Sequence, residues 1–157
     1  MKHTIAVIVE NKPGVLARIS GLFSARGFNI TSLAVGETND PTLSRMTIIV
    51  DAKEERILEQ IKKQLHKLID VLTVLDLTKK NYFERELVLM KISTAGTTKP
   101  ELSKILKKYS ATILSFDKKE AVLEIVGDNE HIGKLLGVLG KSEIKELVRT
   151  GRIAIAQ

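Results

Sequence analysis

Apolar residues along this chain fall into two alternating rhythms. Ile5-Ala6-Val7-Ile8-Val9 is a β-branched run of strand length, and Asn11-Lys12-Pro13-Gly14 breaks it. Val15, Leu16, Ile19, Leu22 and Phe23 then recur at helical spacing. Pro13 suits the first turn of that helix, where a missing N–H costs nothing, and Gly27 ends it. Residues 28–35 read as a second strand, and residues 36–41 as a turn-rich connection with Asn39-Asp40-Pro41 at its tip. Residues 45–50 form a third strand with Met46, Ile48 and Val50 on one face. Asp51, with Glu54 three residues on, predicts a capped helix start, and Ile57, Ile61, Leu65 and Leu68 give that helix its apolar stripe. Residues 71–77 close the unit as a fourth strand. The order β-α-β-β-α-β predicts a ferredoxin-like arrangement, with two helices on one face of a four-stranded antiparallel sheet and the other face available for a partner.

The polar stretch Thr78-Lys79-Lys80-Asn81 sets the expected boundary, giving domains 1–78 and 79–157. Beyond it the pattern recurs. Residues 87–92 read as a strand, and Thr98-Lys99-Pro100-Glu101 as a capping box opening a helix that carries Leu102, Ile105 and Leu106. Strands at 111–116 and 121–126 flank the charged turn Asp117-Lys118-Lys119-Glu120. Asp128 is placed to cap a helix bearing Ile132, Leu135, Leu136 and Leu139, and short strands at 144–148 and 152–156 surround Thr150-Gly151. The second half is therefore a diverged copy of the first, and the expected fold class is α+β with two tandem ferredoxin-like domains.

Charge narrows the function classes. The net charge of +6 is spread evenly: residues 1–80 hold 12 basic and 9 acidic side chains, and residues 81–157 hold 13 and 10. With interspersed signs and an aromatic fraction of 4%, the chain offers neither a basic arm nor stacking platforms, which argues against nucleic acid. No apolar run reaches membrane-span length. Met1-Lys2-His3 leads directly into a strand, which predicts no signal peptide and a cytoplasmic location. The absence of cysteine rules out disulfides and thiolate metal sites. His3, His66 and His131 lack metal-ligand spacing, and His66 reads as a surface residue. A nucleophile elbow, a phosphate-binding loop and a dinucleotide glycine fingerprint are all missing. No catalytic or metal-ligating residue is assigned, and a binding or regulatory role is expected.

One local feature carries chemistry. Asn11-Lys12-Pro13-Gly14-Val15-Leu16 joins a strand end to a helix start. An ordinary turn accounts for it as a local signal. The N–H groups around Gly14, Val15 and Leu16 nevertheless lack intrahelical partners and can receive a carboxylate. Gly14 puts no side chain in the way, and the amide oxygen of Asn11 can accept from an ammonium group. The turn would suit a free amino acid, with the helix end contributing up to about 2 kcal/mol. An aspartate at Gly14 should leave the fold standing unless the glycine has positive φ.

That turn, on this fold, resembles the ACT domain, a family of small-molecule regulatory modules. The stretches Leu22-Phe23-Ser24-Ala25-Arg26-Gly27-Phe28-Asn29-Ile30, Asn39-Asp40-Pro41-Thr42-Leu43-Ser44-Arg45-Met46-Thr47 and Leu58-Glu59-Gln60-Ile61-Lys62-Lys63-Gln64-Leu65 resemble the small subunit of acetohydroxyacid synthase (acetolactate synthase). The resemblance implies a non-catalytic regulatory subunit. Its partner would be a catalytic subunit carrying thiamine diphosphate, magnesium and FAD, which it activates and subjects to feedback inhibition, usually by valine. It further implies a homodimer through paired ACT domains. The effector then lies between the helix-start turn of one protomer (Asn11, Gly14, Val15 and Leu16) and the second strand of the other (Asn29 and Ile30). The first domain is expected to carry effector binding and dimerisation, and the second activation. A fragment ending near Thr78 is accordingly expected to bind valine but activate poorly. The competing readings are a stand-alone amino-acid sensor acting on another enzyme or regulator, an RNA-binding ferredoxin-like domain and a small enzyme. The first would be favoured by a fused helix-turn-helix. The second would need exposed aromatics on a central strand, where Arg45, Met46, Thr47 and Ile48 stand instead.

Overall fold

The computed structural model of the chain describes residues 2–51, 55–140 and 144–157. Two units emerge from its contacts, one made of Met1–Phe83 with Arg152–Gln157, the other of Glu84–Gly151. The first contains β1 (Lys2–Glu10), α1 (Val15–Ser24), β2 (Ile30–Glu37), β3 (Leu43–Asp51), α2 (Glu55–Leu65) and β4 (Val71–Asp76). Its strands are all antiparallel in the order β2-β3-β1-β4. Alternation along β1 sends Ile5, Val7 and Val9 to the helix side, where Met46, Ile48 and Val50 of β3 join them. Spacing of four on α1 brings Val15, Ile19 and Phe23 onto the same core, and α2 adds Leu58, Ile61 and Leu65. The observed α2 stripe differs by one position from the expected one. Leu58 is buried where Ile57 was expected, while Ile57 and Leu68 pack half-buried at its margin, and Leu68 lies beyond the end of the helix at Leu65. Glu54, the expected partner of Asp51 in capping α2, lies outside the described residues.

Phe23 is the largest side chain completely closed off in this core. A Phe23→Ala variant should lose about 3–5 kcal/mol of stability, because the vacated volume cannot collapse between two helices and a sheet. The expected result is a lower urea midpoint with an unchanged slope.

The second unit repeats the plan with β5 (Tyr82–Ser93, which begins in the first unit), α3 (Lys99–Lys107), β6 (Thr112–Phe116), β7 (Glu120–Gly127), α4 (Asn129–Leu139) and β8 (Ile144–Arg149). Its order β6-β7-β5-β8 is the same permutation. Val88, Met90 and Ile92 face Leu102, Leu106, Ile132, Leu135 and Leu139 across its core. Both expected caps form. Thr98 and Glu101 make a full capping box, and Asp128 Oδ1 accepts from the His131 N–H at 2.8 Å.

Two expectations fail at the unit boundary. Strand β5 starts at Tyr82 rather than near residue 87, because its first half is charged and shows no apolar run. The last strand, β9 (Ile153–Ala156), pairs with β5 and belongs with the first unit, not with residues 79–151. It packs Ala154 against Ala6 and Leu77, with Leu75 and Tyr82 alongside. The helix-free face of the first sheet is thus partly covered by the chain's own end, where the sequence had left it open for a partner.

Candidate functional site

The expected binding turn begins where β1 ends. The Glu10 N–H donates to Asp70 O at 2.9 Å, and the Asn11 N–H to Thr42 O at 2.7 Å. Asn11 then spends both hydrogens of its side-chain amide within the chain, Nδ2 reaching Glu37 Oε1 at 3.0 Å and Pro41 O at 2.9 Å. The remaining polar atom of that side chain, Oδ1, is an acceptor. The loop that holds Asn11 is itself pinned. Asp40 Oδ1 accepts from the Thr42 hydroxyl at 2.6 Å and the Thr42 N–H at 2.9 Å. Those two bonds, the hydroxyl first, keep the Asp40 carboxyl below its ordinary range. Lys12 folds back onto Glu10 at 2.8 Å, and that bond raises its pKa.

Gly14 is the N-cap of α1, with φ 84 and ψ −10. An N-cap residue ordinarily has extended geometry and an oxygen on its side chain, and Gly14 has neither. Pro13 consequently lies in the turn before the helix, two residues ahead of its first residue Val15, and not in the first helical turn expected from the sequence. No side chain caps α1 and no acidic residue stands in its first turn, whereas α3 and α4 are both side-chain capped. The positive end of α1 is therefore left uncompensated by any side chain of its own first turn.

Arg18 brings a guanidinium to the same place, its charge offset by an ion pair with Asp70. Its N–H donates to Gly14 O at 3.0 Å, and its side chain turns back towards the helix start. Nε and Nη2 both bind Asp70 Oδ2, at 2.8 and 2.7 Å, and Asp70 is buried. Nη1 stands 3.2 Å from the position a Cβ would take on Gly14. The guanidinium is fixed by one carboxylate and retains N–H groups for a second. Neither Arg18 nor Asp70 was singled out from the sequence. Arg18 was accessible in principle, four residues after Gly14 and so one helical turn above it, but Asp70 lies 52 residues further on and only the fold brings it there.

The remaining expected residues divide. Leu16 is half-exposed beside the turn and offers an apolar surface. Val15 sits in the core and presents only backbone, its N–H leaning on Lys12 O at 3.4 Å. Asn29 and Ile30 stand at the opposite end of β2. Asn29 O accepts from the Asp51 N–H at 3.4 Å, and Ile30 pairs with Val50. Glu37, which Asn11 touches, ends that strand, and eight residues of strand span about 23 Å. A single chain therefore gathers Asn11, Gly14, Leu16 and Arg18, but not Asn29 and Ile30. The gathered set offers guanidinium N–H groups, an amide oxygen and an exposed apolar side chain.

Among the described residues no group of three or more His, Cys, Asp or Glu side chains is placed to hold a metal, and no helix is long and apolar enough to cross a membrane. His66 is exposed on the turn after α2, and His131 Nε2 is bonded to Tyr109 O at 2.8 Å.

Comparison with known proteins covers both units. Residues 5–73 match the family described as the AHAS small subunit-like ACT domain, and residues 85–157 match the small subunit of acetolactate synthase. The chain is 42% identical over 157 residues to a probable acetolactate synthase small subunit of Archaeoglobus fulgidus, covering all of this chain and 98% of that one. It is 43% identical over 155 residues to the acetolactate synthase small subunit of Mycobacterium leprae, covering 99% and 91%. The crystal structure of the acetolactate synthase small subunit from Thermotoga maritima superposes with a TM-score of 0.89 at 33% identity, covering 100% of this chain and 98% of that one.

Proposed function

The chain belongs to the family of acetolactate synthase small subunits, and we propose that it activates a thiamine-diphosphate-dependent catalytic subunit and makes it sensitive to a branched-chain amino acid, valine foremost. The observation that carries this reading is the uncapped start of α1. Gly14 opens it, Arg18 brings guanidinium N–H donors to it and Asn11 is fastened beside it. The apolar surface of Leu16 suits a branched aliphatic side chain rather than a charged one. Thiamine diphosphate, magnesium and FAD belong, on this reading, to the catalytic partner.

A second copy of the chain completes the site. Strand β2 is an edge of the first sheet, and unpaired edges need cover. Antiparallel pairing of two β2 strands about a two-fold axis brings the Ile30 end of one copy beside the Glu37 end of the other, next to Asn11. Asn29 and Ile30 then reach the turn from which they are separated within one chain.

The test is reconstitution. The purified chain should make no acetolactate from pyruvate. Added to the purified catalytic subunit it should form a complex and raise turnover, and valine should reverse that gain. Pyruvate condensation by the chain alone, or a mixture indistinguishable from the catalytic subunit alone, sinks the reading.

A further inference from the structure

The second unit holds a cavity of about 130 Å³ where β5 ends, bounded by the turn into α3, by α3 itself and by the end of α4. Three hydroxyl-bearing residues, Ser93, Thr94 and Thr97, line it together with branched aliphatic side chains from all three elements. No charged side chain is among the lining residues. Leu102 on its wall is buried, whereas Val138 on α4 is exposed.

Its place in the fold is that of the Gly14 turn. The two sheets follow the same permutation, so the end of β5 corresponds to the end of β1, and α3 to α1. Counting from the N-caps sets Thr98 against Gly14 and Leu102 against Arg18. The chemistry is inverted. Glu101 fills the helix start with the chain's own carboxylate, whose Oε2 accepts from the Thr98 N–H and from the Thr98 hydroxyl, both at 2.8 Å. Those bonds, the backbone one first, hold the Glu101 carboxyl below the usual carboxylate range. A ligand carboxylate brought there would meet a like charge already in place, and Leu102 supplies no cation to offset it.

What the cavity does offer is uncharged. Thr94 Oγ1 commits its hydrogen to Asp117 O at 3.1 Å. Ser93 Oγ accepts from the Ala95 N–H at 3.3 Å, which leaves its own hydrogen to donate. Thr97 spends its N–H on Thr94 O at 3.0 Å, and its hydroxyl bonds to none of the described residues. The volume of about 130 Å³ is the share of roughly four liquid waters, and apolar cavities of about 150 Å³ take up a small organic molecule.

We propose that the second unit binds a small uncharged molecule at the end of β5, its short branched aliphatic body against Leu102 and Ile105 and its one amide or hydroxyl group bonded to Ser93 and Thr97. The site is separate from the Gly14 turn and stands without the effector reading of that turn. So few atoms give a Kd on the order of 1 mM.

The experiment titrates the full-length chain with 2-methylpropanamide and follows its backbone amides by NMR. The control is 2-methylpropanoate, which has the same shape and a negative charge. The amide should give saturable shifts centred on residues 92–94, 97 and 138–139, and the carboxylate should bind at least about ten-fold more weakly. Thr97→Val keeps the shape and removes the hydroxyl. It should weaken binding of the amide about five-fold, the loss of one neutral hydrogen bond, while Thr97→Ser should stay within about two-fold of wild type. Absence of a saturable shift up to about 50 mM amide would leave the cavity to water and overturn the proposal. Shifts centred in the first unit overturn it, as do equal binding of the carboxylate and wild-type affinity in Thr97→Val. If Thr97→Val melts early, the amide and carboxylate titrations of the wild type still decide.

Discussion

Gly14→Asp should abolish valine binding in the range where the wild type is saturated and should lower the melting temperature as well. Three effects act together. Gly14 has φ 84, a conformation that costs a residue with a Cβ about 1–2 kcal/mol, although aspartate tolerates it better than most. The new Cβ would stand 3.2 Å from Arg18 Nη1, so the guanidinium must shift or be captured by the new carboxylate. Capture is favourable for the protein and unfavourable for the ligand, because it consumes the N–H groups left over from Asp70. The new charge also faces the ligand's own carboxylate. Two like charges at about 4 Å repel by roughly 4 kcal/mol at an effective dielectric of 20, a scale for the effect rather than its net value. A ligand with a Kd near 0.1 mM has only about 5.5 kcal/mol of binding free energy in all. Gly14→Ala separates the causes, since it carries the backbone strain without the charge. Both variants should melt earlier than wild type, but Gly14→Ala should keep much of its affinity. Calorimetric titration with valine, paired with thermal melts, reads both quantities. Wild-type affinity in Gly14→Asp would place the effector elsewhere. The helix-dipole argument from the sequence, that an acidic residue here is benign for the fold, is outweighed by the positive φ.

Most of the architecture was legible because period-2 and period-3.6 apolar patterns mark which face of each element meets the core. Ile5, Val7 and Val9 announce β1 and its inner face, and Thr98 with Glu101 announces the start of α3, since both signals are local. Features whose cause is distant in sequence were not legible. The first half of β5 carries Glu84, Arg85 and Glu86, and its local sequence shows no apolar alternation to mark it, while Glu86 finds its strand partner in Gly127, 41 positions later. The short strand expected at residues 152–156 is present as β9, but nothing local in it says to which unit it belongs. The turn at Gly14 was found because glycine after proline is a strong local mark. Its electrostatics were not, because Asp70 fixes Arg18 only in the folded chain. The six expected contact residues split between the two ends of β2 for a related reason. The Gly14 turn and the Asn29–Ile30 segment look close when counted along the chain, yet Asn11 meets β2 at Glu37, the far end of a strand that spans about 23 Å.

Removing residues 152–157 should destabilise the first unit by about 3–5 kcal/mol and leave the second nearly untouched. Those residues supply Ala154, which buries Ala6 and Leu77, and the acceptor at Ala154 O that receives Arg45. Exposing a buried leucine costs about 2 kcal/mol, and each lost hydrogen bond adds about 1 kcal/mol net. Against a total stability of about 5–15 kcal/mol for a domain, that is a large fraction. The second unit contains none of the lost residues, and its core of Val88, Met90, Ile92 and the α3 and α4 leucines stays complete. Urea denaturation of a chain ending at Gly151 should therefore shift an early transition assigned to β1–β4 and preserve a later one, and hydrogen exchange assigns each transition to its strands. The same reasoning revises the expectation for a fragment ending at Thr78. It loses Tyr82, whose hydroxyl lies 3.4 Å from Thr4 Oγ1, together with all of residues 152–157. Such a fragment should be less stable again, and its weak binding of valine would report a loosened sheet rather than a missing contact. A chain ending at Gly151 that unfolds together with the full-length protein would mean that residues 152–157 rest on the first unit without supporting it.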